Sequence, residues 1–340
     1  MSIKVGINGF GRIGRTFFRL AYERDDIEVV AINDLGSVDS LAYLLKYDTA
    51  YRKASFSVEV HEGRLFVDGK EIAFVQEREP SKIPWGAHGV DVVVESTGIF
   101  TSYEKAAAHL KGGAKRVVIT GPVKDDAGAV PGATVLMGVN EGDMPGVAIT
   151  SNASCTTNAT SPLIAILHEA LGVEKALLNT THAYTASQTL QDGPSKKDLR
   201  EGRAAAENIV PSSTGAAVAV TQAYPALKGK FDGISVRVPV PVGSLVDITF
   251  VSSRDTTAQE VNAILTEAAS SEKWKILFGV TTEPLVSSDI IGLTFASMAD
   301  LAFTRVVGGN LVKVLAWYDN EASYTHTLIE HVVASGKTLS

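Results

Sequence analysis

Cys155 is the only cysteine among 340 residues, and it lies in Ser151-Asn152-Ala153-Ser154-Cys155-Thr156-Thr157-Asn158. Capping-type polar residues surround the thiol, and an apolar helical pattern (Leu163, Ile164, Ile166, Leu167) follows it. A cysteine at a helix N-terminus has its thiolate favoured by the dipole and by free N–H groups, which also suit an oxyanion. A lone cysteine is more often a small buried hydrophobe. Ser, Thr and Asn do not make an apolar core, however, so the reactive reading leads. A thiol nucleophile needs a base. His182 is the candidate: it ends the strand pattern Ala176–His182, just before Tyr184 and Thr185. The other six histidines, His61, His109 and His168 among them, fall in solvated or helical segments. A structurally satisfied His182 stays equally open, because spacing alone does not bring residue 155 to residue 182.

Three further places could hold anions. Pro211–Ala217 combines hydroxyls, Gly215 and a helix start over Ala216–Tyr224, which reads either as a phosphate nest or as an ordinary N-cap. Arg237 interrupts the apolar strand Ile234–Val240, so it must meet an anion or a structural carboxylate. Asp319-Asn320-Glu321 ends a strand and opens the last helix, where Asn320 is either a site residue or the cap. Near the N-terminus, Gly9-Phe10-Gly11-Arg12-Ile13-Gly14 follows a strand and opens a helix. Glycines there let the backbone approach a pyrophosphate at the helix N-terminus. Asp34 ends the second strand about 20 residues beyond Gly14, where a carboxylate accepts from ribose hydroxyls and repels a 2′-phosphate. That spacing points to NAD, not NADP.

These groups need elements to hold them. In the first half, strands Ile3–Asn8, Glu28–Asn33, Asp91–Glu95, Arg116–Thr120 and Thr134–Gly138 alternate with helices Ile13–Glu23, Val38–Lys46 and Tyr103–Leu110. That rhythm predicts an α/β Rossmann unit of parallel βαβ, with Ser55–Phe74 as a hairpin excursion from the sheet. After residue 150 a helix is predicted over Thr157–Leu171, directly after the thiol. Strands follow at Ala176–His182, Gly233–Val238, Leu245–Ser252, Leu301–Val307 and Val312–Trp317, with a helix at Thr257–Ala269. This predicts an α+β unit on a mixed, largely antiparallel sheet. Thr185–Gly202 is long, polar and aperiodic, the mark of a functional or interfacial loop. Glu321–Val333 reads as a terminal helix that packs back on a domain. The expected division is 1–153 plus the helix at about 320–340, against 154–319.

Lys and Arg total 31 against 38 Asp and Glu, so bulk charge does not hold the chain on nucleic acid or an anionic membrane. One cysteine allows no internal disulfide and makes a thiolate metal cluster improbable, so no metal is expected. The free thiol and the absence of a signal-peptide layout in MSIKVGINGF lead us to expect a cytoplasmic protein.

Taken with His182-Ala183-Tyr184-Thr185, Asp192-Gly193-Pro194-Ser195, Ser213–Ala217, Arg237-Val238-Pro239 and Trp317–Glu321, the glycine motif and the Cys155 octapeptide closely resemble the phosphorylating glyceraldehyde-3-phosphate dehydrogenases over essentially the whole length. The resemblance implies that Cys155 attacks an aldehyde, that His182 activates the thiol, and that phosphate cleaves the resulting thioester. It implies substrate or phosphate contacts for Ser154, Thr156, Thr185, Thr214, Gly215 and Arg237. Cofactor roles fall on Gly9, Gly11, Arg12, Ile13, Asp34, Arg78, Thr120 and Asn320. Thr185–Gly202 resembles the family's S-shaped loop, which implies a homotetramer. The chain departs from the family pattern at Ala159, at Thr120-Gly121-Pro122, at Val240–Gly243 and at Ala322-Ser323. Two other readings stand beside it: erythrose-4-phosphate dehydrogenase on the same scaffold, and a non-catalytic nucleotide- or RNA-binding protein.

Overall fold

The computed structural model describes residues 2–123, 128, 130–195 and 198–339. Lys196 and Lys197 of the predicted polar loop lie outside the described residues. The chain forms two compact units, residues 1–135, 141–153 and 325–340 in the first and 136–140 and 154–324 in the second.

The first unit carries β1 (Ile3–Asn8), α1 (Arg12–Tyr22), β2 (Ile27–Asn33), α2 (Val38–Lys46), β3 (Tyr47–Asp48), β4 (Arg52–Lys53), β5 (Val58–His61), β6 (Arg64–Val67) and β7 (Lys70–Val75). It continues through β8 (Val92–Glu95), α3 (Tyr103–Ala106), α4 (Ala108–Lys111), β9 (Arg116–Ile119), β10 (Gly132–Thr134) and β11 (Ile149–Ser151). One sheet runs β10-β11-β9-β8-β1-β2-β7-β6-β5, parallel from β10 to β7. Its central strands are buried on both faces, which is why Val-Val-Val-Glu of β8 is continuous rather than alternating. This is the expected Rossmann architecture. Two details differ. The segment read as a hairpin excursion is part of the main sheet, because β7 pairs in parallel with β2 while β6 and β5 fold back antiparallel. The strand expected at Thr134–Gly138 is Gly132–Thr134; beyond it, the Asn140 side chain accepts from the Leu136 N–H at 2.8 Å and turns the chain.

The second unit holds α5 (Cys155–Leu171), β12 (Val173–Ala183), β13 (Val210–Ser213), α6 (Ala216–Ala223), β14 (Phe231–Val238), β15 (Ser244–Ser252), α7 (Ala258–Ser270), β16 (Phe278–Thr281), β17 (Ser297–Asp300), β18 (Arg305–Val307) and β19 (Leu311–Tyr318). The sheet order is β13-β14-β12-β15-β19-β17-β16, with β18 beside β19. Among the described residues only β12/β14 and β16/β17 are parallel, which is the expected mixed, largely antiparallel sheet. The strand expected over Leu301–Val307 is shorter, because Asp300 caps a single helical turn at Leu301–Phe303 by accepting from the Ala302 N–H.

α5 is buried almost all round, which suits a helix packed between the sheet and neighbouring α6 and α7. Pro162 inside it offers no N–H to the Asn158 carbonyl, and the Ser161 hydroxyl donates there instead at 3.4 Å. The last helix, α8 (Ala322–Lys337), belongs to the first unit from Thr325 onward. There Gly336 has no room for a Cβ, which would stand 2.5 Å from Ile3 of β1. His331 of α8, fully buried, binds Thr150 at 2.7 Å and Asn152 at 3.1 Å.

Leu163 on α5 is fully buried among apolar neighbours. Leu163→Ala is expected to cost about 2–5 kcal/mol and to lower the calorimetric melting temperature. An unchanged melting temperature would contradict this placement of α5.

Candidate active site

The thiol opens α5 rather than preceding it. Ser154 is the N-cap, its hydroxyl accepting from the Thr157 N–H at 3.1 Å. The Asn158 side chain donates to the Ser154 carbonyl at 3.0 Å and tightens the same turn. The polar octapeptide therefore builds the helix start that presents Cys155. Cys155 is half-buried and free, and its Sγ stands 3.3 Å from His182 Nε2. The sequence-predicted nucleophile and base are within reach of each other.

Strand register completes the group. In the parallel β12/β14 ladder His182 is directly paired with Arg237. Arg237 Nη1 lies 2.6 Å from His182 Nδ1 and donates to the Ala183 carbonyl at 3.2 Å. His182 Nδ1 is also 2.6 Å from that carbonyl. Arg237 can only donate, so its contact makes Nδ1 an acceptor and puts the ring hydrogen on Nε2, whereas donation from Nδ1 to the Ala183 carbonyl leaves Nε2 bare toward sulfur. The second tautomer is the one that a base at Nε2 requires. Arg237 has no carboxylate partner among the described residues, and its buried Nε has no hydrogen-bond partner. The structural salt bridge weighed from sequence is therefore not formed, which leaves a positive charge suited to an anion.

Burial pushes the Cys155 thiol up, against the charge of Arg237 and the hydrogen bonds from Thr156. Burial and then Arg237 push the His182 imidazolium down to about 3. At neutral pH the resting pair is thus a thiol beside a neutral imidazole. This differs from the dipole-stabilised thiolate expected from sequence, because desolvation outweighs the helix start.

Tyr318 was missed as a site residue. Its hydroxyl bonds Thr156 Oγ1 and Thr180 Oγ1, each at 2.9 Å, tying the first turn of α5 to β12. Its ring meets the His182 ring edge-on at 5.9 Å between centroids. The only sequence signal was an aromatic at the end of an apolar strand, which ordinarily means core.

The remaining predicted anion contacts fall as follows. Thr185 is half-buried and shares a 3.1 Å hydrogen bond with Ser187. Thr214 Oγ1 accepts from the Ala216 N–H at 3.2 Å, and Gly215 is the N-cap of α6 with no side-chain cap of its own. Asn320 is not the cap of α8: Asp319 accepts from the N–H groups of Glu321 and Ala322, both at 2.8 Å. Asn320 instead accepts from Gly243 N–H and from Ser244 Oγ, each at 3.1 Å, and Ser244 Oγ accepts from the N–H of Ala183. Glu201 accepts from Ser212 at 3.2 Å.

In the first unit, a cavity of about 420 Å³ is lined by Gly9, Gly11, Asp34 and Arg78 of the predicted set, together with Asn8, Asn33, Glu77, Ser96 and Thr97. It opens at the carboxyl ends of β1, β2 and β8, the usual place for ligands in a parallel sheet. Two glycines are dictated by contact. Gly9 has φ +94°, and a Cβ on Gly14 would stand 2.2 Å from the Gly9 carbonyl. Gly11 has open space where a Cβ would sit, and no side chain caps α1 there. Asp34 accepts from the N–H groups of Phe10 at 2.7 Å and Gly36 at 2.8 Å, one on each oxygen. Each oxygen keeps a lone pair for a hydroxyl donor. An open glycine turn at a helix start with a fixed carboxylate nearby fits a dinucleotide. Arg12, Ile13 and Thr120 do not line the cavity. Arg12 is paired with Asp48 and lies over the Tyr51 ring, Ile13 is half-buried in α1, and the Thr120 N–H donates to the Glu95 carbonyl at 3.0 Å. Asn8 and Asn33, polar ends of apolar strands, were the signal that sequence reading passed over. Among the described residues no His, Cys, Asp and Glu cluster could hold a metal, and no helix is long and apolar enough to cross a membrane.

Comparison with known proteins gives two matching family models. One, described as glyceraldehyde 3-phosphate dehydrogenase, NAD binding domain, matches residues 3–103. The other, described as glyceraldehyde 3-phosphate dehydrogenase, C-terminal domain, matches residues 154–320. A glyceraldehyde-3-phosphate dehydrogenase of Geobacillus stearothermophilus is 48% identical over 332 residues, 97% of each chain. One from Streptomyces coelicolor is 47% identical over the full length of both chains. Glyceraldehyde-3-phosphate dehydrogenase 1 of Bacillus subtilis is 46% identical over 97% of each.

Replacing Arg237 by Gln removes the charge that favours the thiolate. The midpoint of the pH–rate profile for iodoacetamide alkylation of Cys155 is expected to move to higher pH, with slower reaction at pH 7. An unchanged or lower midpoint would show that Arg237 does not act on the sulfur.

Proposed function

The chain belongs to the glyceraldehyde 3-phosphate dehydrogenase family, and from that premise we propose how its residues divide the reaction. It is an NAD-dependent oxidoreductase that converts D-glyceraldehyde 3-phosphate and inorganic phosphate to 1,3-bisphosphoglycerate. The four-carbon aldehyde of erythrose-4-phosphate dehydrogenase is not favoured, since the matched models and relatives carry the three-carbon name.

The observation that supports the assignment of roles is the 3.3 Å approach of Cys155 Sγ to His182 Nε2. Cys155 attacks the aldehyde carbon while Nε2 takes the thiol proton, which gives a thiohemiacetal. His182 passes that proton to the former carbonyl oxygen, completing the thiohemiacetal hydroxyl, and takes it back as the carbon is oxidised to a thioester. Bound NAD supplies the hydride acceptor. Inorganic phosphate attacks the thioester carbon, the acyl–sulfur bond breaks, and Cys155 is regained. A raised thiol is a poor resting nucleophile but leaves the proton transfer to the adjacent base, so activation is coupled to substrate attack. Arg237, without a carboxylate partner, is suited to the substrate's phosphate or the attacking one, with Thr185, Thr214 and Gly215 as its companions. Ser154 and Thr156 hold the nucleophile's turn. Gly9, Gly11, Asp34 and Arg78 hold NAD in the cavity of the first unit.

The assembly is proposed to be a homotetramer. Leu177, Leu190, Leu199 and Ile234, all more than half exposed on the single chain, support coverage by further copies. The single free thiol supports a reducing, cytoplasmic setting.

Cys155→Ser is expected to abolish NAD reduction with glyceraldehyde 3-phosphate and phosphate. His182→Asn is expected to lower kcat by about 10²–10⁴-fold, the usual worth of a positioned base. Near-normal turnover in either variant would refute the assigned role. Asp34 is expected to make kcat/KM with NAD exceed that with NADP, and better efficiency with NADP would overturn the reading of that carboxylate.

A further inference from the structure

Glu95 ends β8 and is only 1% exposed. Four donors converge on its carboxylate. Oε2 accepts from Asn8 Nδ2 at 2.6 Å and from His109 Nε2 at 2.8 Å. Oε1 accepts from the Thr97 N–H at 2.9 Å and from the Thr97 hydroxyl. Trp85 fixes the tautomer of His109. Its indole N–H can only donate, and it reaches His109 Nδ1 at 3.0 Å, so Nε2 carries the hydrogen given to Glu95. Trp85 and His109 are both fully buried, His109 within α4 as the helical reading of its segment expects.

Asn8 passes this order on. Asn33 Nδ2 donates to Asn8 Oδ1 at 2.7 Å and to the Glu77 carbonyl at 2.9 Å, and the Glu77 N–H returns to Asn33 Oδ1 at 2.8 Å. Asn8, Asn33, Glu77 and Thr97 line the 420 Å³ cavity, whereas Glu95, His109 and Trp85 do not. A buried carboxylate is costly unless hydrogen-bonded, and well-packed apolar residues would fill such a place at least as stably. Here every bond it makes faces either a wall of the cavity or the histidine behind it.

We propose that Glu95, backed by His109 and Trp85, is a positioning residue for dinucleotide binding. It locks the ends of β1, β2 and β8 and the segment after β7 at one spacing. The proposal rests on the reading of this cavity as the NAD site.

The test uses the full chain and NAD alone, without aldehyde. Glu95→Gln places an amide nitrogen where donors already point, so either the Asn8 and His109 pair or the Thr97 pair loses its acceptor. His109→Leu removes the donor on the side away from the cavity and serves if Glu95→Gln fails to fold. Calorimetric titration is expected to give about tenfold or weaker NAD binding in Glu95→Gln, the scale of a misdirected buried hydrogen bond. His109→Leu is expected to weaken NAD binding in the same direction. Alkylation of Cys155 by iodoacetamide in the absence of NAD, which a general loss of structure would change, is expected to stay within about twofold. In steady state KM for NAD rises while kcat holds. Unchanged NAD affinity in a folded variant overturns the proposal alone. A wild-type protein that does not bind NAD overturns the cofactor reading and the proposal with it.

Discussion

The pairing of β12 with β14 places His182 beside Arg237, and most of the second unit's chemistry depends on that register. A slip of β14 by one residue would set a valine opposite His182 and turn Arg237 to the other face of the sheet. The imidazole would then lose the guanidinium. The adjacent ladder supports the arrangement, because Ser244 at the start of β15 accepts from the Ala183 N–H and is itself held by Asn320. Tyr318 closes the group from β19 through Thr156 and Thr180. The thiol is thus positioned by a helix start and the base by a sheet. A single phenol joins the two.

Burial decides the electrostatics. The same enclosure that excludes water raises the thiol and lowers the imidazole, so both rest uncharged. Arg237 acts on each in the direction of lower pKa, favouring thiolate but opposing imidazolium. A neutral pair does not lose its nucleophile to stray electrophiles as a resting thiolate would. In the proposed mechanism it reacts when an aldehyde carbon takes the sulfur's electrons as Nε2 takes its proton.

Much of this was legible in the sequence, for identifiable reasons. The glycine turn and Asp34 could be read because only small residues and an acid at fixed spacing suit a pyrophosphate and a ribose. Cys155 could be read because its neighbours are capping residues. What escaped was set by tertiary partners. β17 is buried at all four positions and shows no alternation. β13 is an edge strand that tolerates Pro211 and reads as a loop. Ser55–Phe74 could not be assigned to the main sheet until β7 was seen beside β2. Arg12 has the spacing of a cofactor residue but is engaged by Asp48, a partner that no local pattern announces. Glu95, His109 and Trp85 lie in a strand, a helix and a turn far apart along the chain, and only the fold brings them together.

The account predicts that oxidation is complete at the thioester before phosphate enters. Rapid mixing of the protein with glyceraldehyde 3-phosphate and NAD in phosphate-free buffer tests this directly. The expected result is a burst of NADH equal to one per Cys155, followed by a slow phase that accelerates when phosphate is added. NADH formation that waits for phosphate, with no burst, would contradict an acyl group carried on this sulfur.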